Sequence, residues 1–149
     1  PLLESLAHSG GAQLDISNLL PVFSRQRPYR YPDPLPGSEL GPGCHWAAFN
    51  FFNQGPTDES LHEPAGVEQV LREKFVPATG EPRFGDIILL TLPDGSSIHS
   101  AVHIADGIVF TKNGPSLATP YVLSTMEDML AFYPRRARLT LTYYRRTGT

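Results

Sequence analysis

At 149 residues, with 40% hydrophobic and 18% charged side chains, the chain has the composition of one folded domain and excludes a disordered segment. A formal charge of −3 and a pI near 5.9 offer no basic footprint for phosphate backbones, which argues against nucleic acid as a partner. A single cysteine excludes an internal disulfide, and no apolar stretch approaches the ~20 residues that a membrane-crossing helix needs.

The 15 prolines and 13 glycines predict short elements joined by many turns. The chain reads as a single domain over 1–149 with a proline-rich N-terminal arm over about 1–42. It starts at Pro1 without a methionine, which fits a trimmed leader or an engineered boundary, and no signal peptide is visible. Within the arm, an apolar stretch from Ile16 to Phe23 precedes Pro28, Pro32, Pro34 and Pro36, which favour extended backbone. Tyr29 and Tyr31 in this arm either wall a cleft or pin the arm to the core.

Gly41-Pro42-Gly43 breaks the chain before Cys44-His45-Trp46-Ala47-Ala48-Phe49-Asn50-Phe51-Phe52, read as a short helix buried on most sides and stopped by Asn53-Gln54-Gly55-Pro56. Val67 to Phe75 reads as a second helix, with Val67, Val70 and Leu71 on one face. From Phe84 the period changes. Ile87 to Leu92 is a buried strand, Pro93-Asp94-Gly95-Ser96 a turn and His99 to Ile104 a second strand. Ala105-Asp106-Gly107 makes a tight connection to a third strand, Ile108 to Thr111, and the three form an antiparallel meander. Ser124-Thr125-Met126-Glu127 has the spacing of a capping box and predicts a helix of about ten residues. Leu139 to Tyr143 alternates as a last strand, ending in a solvated Arg145-Arg146.

Two residue types in this order point to chemistry. Cys44 opens a helix, where unpaired backbone N–H groups and the helix dipole favour a thiolate, lower its pKa and offer donors to a developing oxyanion. The competing reading is a small buried hydrophobe, a common fate of a free cysteine. His99 and His103 share one strand face with Ala101, and either imidazole has the chemistry of a general base. No metal is expected, because the cysteine is solitary and no paired helical histidines occur. No Gly-x-Ser-x-Gly elbow supports a serine hydrolase.

Pro82-Arg83-Phe84-Gly85-Asp86-Ile87-Ile88-Leu89, followed by His99-Ser100-Ala101-Val102-His103-Ile104-Ala105-Asp106-Gly107, resembles the NlpC-type papain-like cysteine peptidases of bacterial cell walls. There a Gly-Asp strand is followed by a pattern like His-Val-Gly-Ile-Tyr-Leu-Gly-Asp-Gly, and the cysteine comes earlier, at a helix start. The resemblance implies an α+β, papain-like fold in which an N-terminal helix bearing Cys44 packs on a small antiparallel sheet. It implies His99 as the base and places Thr111 at the third polar position, while Asn113, two residues on, has the better chemistry for orienting an imidazole. A backbone carbonyl is the third alternative. Around Cys44 the chain has Gly43-Cys44-His45-Trp46 where the family has Asp-Cys-Ser-Gly. His45-Trp46-Ala47 also echoes the lecithin retinol acyltransferase-like proteins, but no later cysteine completes their order.

The implied activity is a cysteine peptidase or amidase that hydrolyses amide bonds, with peptide or peptidoglycan-fragment substrates and no cofactor; the compartment, the bacterial cell envelope being one candidate, is left open by the sequence. The alternatives are a non-catalytic binding module on the same fold, or an acyltransferase or effector hydrolase acting outside the cell wall. Oligomeric state is left open by the sequence.

Overall fold

A computed structural model of the chain describes residues 16–133 and 138–148; Pro1 and the first part of the arm lie outside them. The fold combines short helices with one six-stranded antiparallel sheet. The helices are α1 (Val22–Arg25), α2 (Cys44–Phe49), α3 (Pro64–Lys74) and α4 (Met126–Ala131). The strands are β1 (Phe75–Pro77), β2 (Ile87–Thr91), β3 (Ser97–Ala105), β4 (Ile108–Lys112), β5 (Tyr121–Thr125) and β6 (Thr140–Arg146), in the order β1-β6-β2-β3-β4-β5. Among the described residues no helix is long and apolar enough to cross a membrane.

The continuous apolar run of β2 follows from burial on both faces. On one face Ile87 joins Val102, Ile104 and Phe110 against Trp46, Ala47, Ala48 and Phe51, so α2 lies on this side. On the other, Ile88 and Leu90 join Ala101 and Val109 under Met129 of α4. The β3–β4 connection uses Asp106 and Gly107, with φ of 44° and 78°, the paired left-handed backbone of a two-residue hairpin that matches strand twist. Gly85 has φ +88°, and an added Cβ would lie 2.3 Å from the Phe52 ring, so both backbone and space demand glycine. Beside it, Asp86 accepts from the Arg83 N–H at 2.8 Å and from Arg145 at 2.6 and 2.9 Å, tying the start of β2 to β6.

Several elements depart from the sequence reading. α2 ends at Phe49 and not Phe52, because the buried Asn50 donates to the Trp46 carbonyl at 3.1 Å while its Oδ1 accepts from Asp58 N and Asn53 Nδ2, both at 2.9 Å. These bonds turn the chain before the Gly55-Pro56 stop. α3 begins three residues early at Pro64, whose fixed φ suits a first helical turn, and Phe75 leaves it for edge strand β1. β5 is unforeseen, and Ser124 belongs to it. The cap is instead Thr125, whose Oγ1 accepts from Asp128 N at 3.0 Å, and the helix runs for 6 residues, not ten. It stops where Phe132 and Tyr133 turn tightly back onto the Met129 and Leu130 carbonyls. β6 runs on to Arg146, and Arg145 is ion-paired with Asp86 where solvation was expected. The arm tyrosines do not pin it: Tyr29 and Tyr31 are 68% and 65% exposed. Backbone bonds hold the arm, from Tyr29 N to Tyr121 O (2.6 Å), Tyr121 N to Arg30 O (3.0 Å) and Gly41 N to Pro115 O (2.8 Å). Tyr31 walls a cleft of about 360 Å³ with Arg27, Arg30 and Trp46.

Candidate active site

The Gly41-Pro42-Gly43 break does what its composition suggests. Gly43 is extended (φ −89°, ψ −176°), its carbonyl accepts the first helical bond from Ala47 N at 3.1 Å, and Cys44 becomes the first residue of α2. Cys44 is 7% exposed and lines a groove of about 400 Å³ with Leu40, Gly41, His45, Ile98, Gly114 and Pro115. Burial pushes its thiol pKa up; backbone N–H groups of Ser100, His45 and Cys44 itself, and the charge of Lys112, act the other way without overcoming it. The expected lowering of the thiol pKa is therefore reversed. The helix-start donors are present, but the sulfur gives up more solvent than they replace.

β3 alternates. Ser100 projects toward α2, where its hydroxyl lies 2.7 Å from His45 Nδ1. His99 projects to the face of Leu90 and Ala101, its ring 5.1 Å from that of Tyr133. His99 is fully buried, its Nε2 is 2.8 Å from Thr111 Oγ1, and its Nδ1 is buried without a hydrogen-bond partner among the described residues. Burial, and then the charge of His45, push its pKa down to about 3, so the ring is neutral at physiological pH. His45 is lowered too, by burial, with the Ser97 backbone opposing.

Of the two candidates for a third residue, the structure brings Thr111 to His99 and not Asn113. β4 ends at Lys112, so Asn113 has already left the strand face that would have aligned it, and its buried Oδ1 has no partner among the described residues. His103 is separate from this group: its ring stands 6.2 Å from Tyr143, and its N–H donates to the Asp86 carbonyl at 2.9 Å. No hydrogen bond joins Cys44 to His99 among the described residues. What relates them is the strand itself, since the backbone of Ser100, the residue after His99, acts to lower the thiol pKa.

Two further residues belong to the cluster. Tyr133 touches the His99 ring, and its hydroxyl pKa is pushed up by burial and then by the charge of Cys44. Lys112 is fully buried; its ammonium donates to Gly114 O (2.6 Å), Ser116 O (3.0 Å) and Thr119 Oγ1 (3.1 Å). Burial pushes its pKa down to about 8, against the raising effect of Cys44. A signal for Lys112 was present in the sequence, because it falls on the same strand parity as Ile108 and Phe110, which point inward. For Tyr133, just past a short helix, there was none.

Compared with models of protein families, with curated proteins and with solved structures, the chain matches none of them. The site is accordingly read from its own geometry. Among the described residues, no three His, Cys, Asp or Glu side chains gather as metal ligands would.

Proposed function

We propose that the chain is a cysteine peptidase or amidase of papain-like architecture, related to the NlpC-type cell-wall enzymes its sequence resembles. The observation that carries this reading is the His99 imidazole, with one nitrogen held by Thr111 and the other buried and unpartnered among the described residues, and with Ser100 next in the chain, whose backbone acts to lower the Cys44 thiol pKa. With Nε2–H donating to Thr111 Oγ1, Nδ1 keeps a lone pair for the thiol proton. The thiolate then attacks the amide carbon, helix-start N–H groups receive the developing oxyanion, and the imidazolium protonates the leaving amine as the C–N bond breaks. Water, deprotonated by His99, resolves the thioester and restores the thiol. Thr111 is the positioning residue for the ring. The resemblance supports peptidoglycan stem peptides as the substrate class, and this sequence of steps uses no cofactor.

One observation favours a second reading, a binding module without activity: the thiol and the imidazole are both buried, and each pKa is displaced toward its neutral form. Digestion of purified peptidoglycan with product identification by mass spectrometry separates the two. The hydrolase reading expects new amine termini that vanish in His99→Ala; intact peptidoglycan together with an unreactive thiol leaves the binding module. A reactive thiol without cleavage leaves an acyltransferase or an effector hydrolase with another substrate.

A further inference from the structure

Lys112 has a role that the Cys44–His99–Thr111 reading does not use. A buried charge is ordinarily neutralised by an opposite one, because leaving water costs more than hydrogen bonds to neutral groups return. Lys112 does not follow that rule. Its three N–H donors are all spent on two backbone carbonyls and a hydroxyl, with no carboxylate among them. Among the described residues, the ammonium is held in place with no carboxylate against it.

Its location gives that charge a use. Lys112 shares the inward parity of Phe110, on the α2 side of the sheet. The β3–β4 ladder pairs Val102 with Phe110, and continuing that register sets Ser100 opposite Lys112. Ser100 is the strand residue whose backbone acts to lower the Cys44 thiol pKa. The loop that Lys112 gathers also contributes Gly114 and Pro115 to the groove that Cys44 lines. Other titratable groups around the sulfur are His45 on α2, His99 on β3, Tyr133 after α4, and His62 and Glu63 on the groove wall. Burial favours the neutral forms of His45, His99 and Tyr133, and His62 is bonded to Glu59 at 2.9 Å.

We infer that Lys112 is the fixed positive charge against which the Cys44 thiolate forms, a positioning residue for the chemistry of that sulfur. The inference rests on Cys44 being the nucleophile and adds the source of its electrostatic support. His99 is then required to move the proton, and not to supply a standing positive charge.

The test is the pH dependence of Cys44 alkylation, in which a sulfur–carbon bond forms, iodide leaves and the thiol proton passes to solvent. In Lys112→Met, labelling with iodoacetamide below about pH 8, where Lys112 holds its proton, is expected to slow about tenfold. The anionic reagent iodoacetate should lose more rate than neutral iodoacetamide in the same variant. Superimposable profiles in a folded Lys112→Met protein overturn the inference. If that variant does not fold, the Lys112 side-chain carbon resonances are titrated in the unaltered protein and in Cys44→Ser. Coupling is reciprocal, so the Lys112 midpoint must fall when the thiolate is removed, and an unchanged midpoint overturns the inference equally. Alkylation needs no substrate, so loss of this coupling and absence of peptide cleavage are separate results.

Discussion

Asp86 and Lys112 lie at opposite ends of the β2–β3–β4 meander, and both carry charge into its interior. At one end, the Asp86 carboxylate meets the Arg145 guanidinium and the Arg83 N–H. Burial alone would raise its pKa, but those bonds and the Arg145 charge pull it below the usual carboxylate range. At the other end, among the described residues, the Lys112 ammonium donates to neutral oxygens alone, and burial pulls its pKa down. The first arrangement locks strands together. The second holds a charge without a carboxylate among the described residues.

The comparison sharpens most where chemistry is expected. Under the proposed mechanism His99→Ala should lower amide turnover by about 10²- to 10⁴-fold, the usual worth of a general base, as read from initial rates on cell-wall peptides. Thr111→Ala should lower turnover less than His99→Ala, and Asn113→Ala should leave it near the original rate. Equal, unimpaired rates in both variants would point to a backbone orienter.

At the Asp86 end the effect should be on stability alone. Asp86→Ala is expected to cost about 1–3 kcal/mol in urea unfolding, the range for hydrogen-bonded groups deprived of a buried acceptor, without changing how fast Cys44 is alkylated. A slowed alkylation would show that the two ends are not independent.

The smallest effects are in the pH dependence of folding. Asp86 has a folded pKa below its unfolded value of about 3.9, so its stabilisation is present above that pH and is lost as pH falls through the folded value. Lys112 is also lowered, from about 10.4 unfolded to about 8 folded, so the folded state binds its proton less readily. Its contribution should therefore rise between about pH 8 and pH 10.4, and unfolding curves of the unaltered protein and Lys112→Met should converge or diverge only across that window.

The meander was legible because its signals are local: a continuous apolar strand, an Asp-Gly pair at each hairpin, and a short run from His99 to Ile104 bounded by those two turns. β1 and β5 were not legible. β1 is three residues containing a proline and exists only because β6 is there to pair with it, while β5 lies between a proline and a threonine cap with little alternation to mark it. Arg145 looked solvated because its partner is 59 residues away. The approach of Thr111 to His99 was readable, because the family resemblance set Thr111 at that position. The thiol pKa was misjudged in direction because a sequence shows a helix start and not how deeply the strand behind it will cover the sulfur.

The central claim is that His99 activates Cys44. The most direct measurement is the rate of iodoacetamide labelling of Cys44 at neutral pH, in the unaltered protein and in His99→Ala. The account predicts a clear slowing of labelling in the variant. The same labelling rate in both proteins would contradict it.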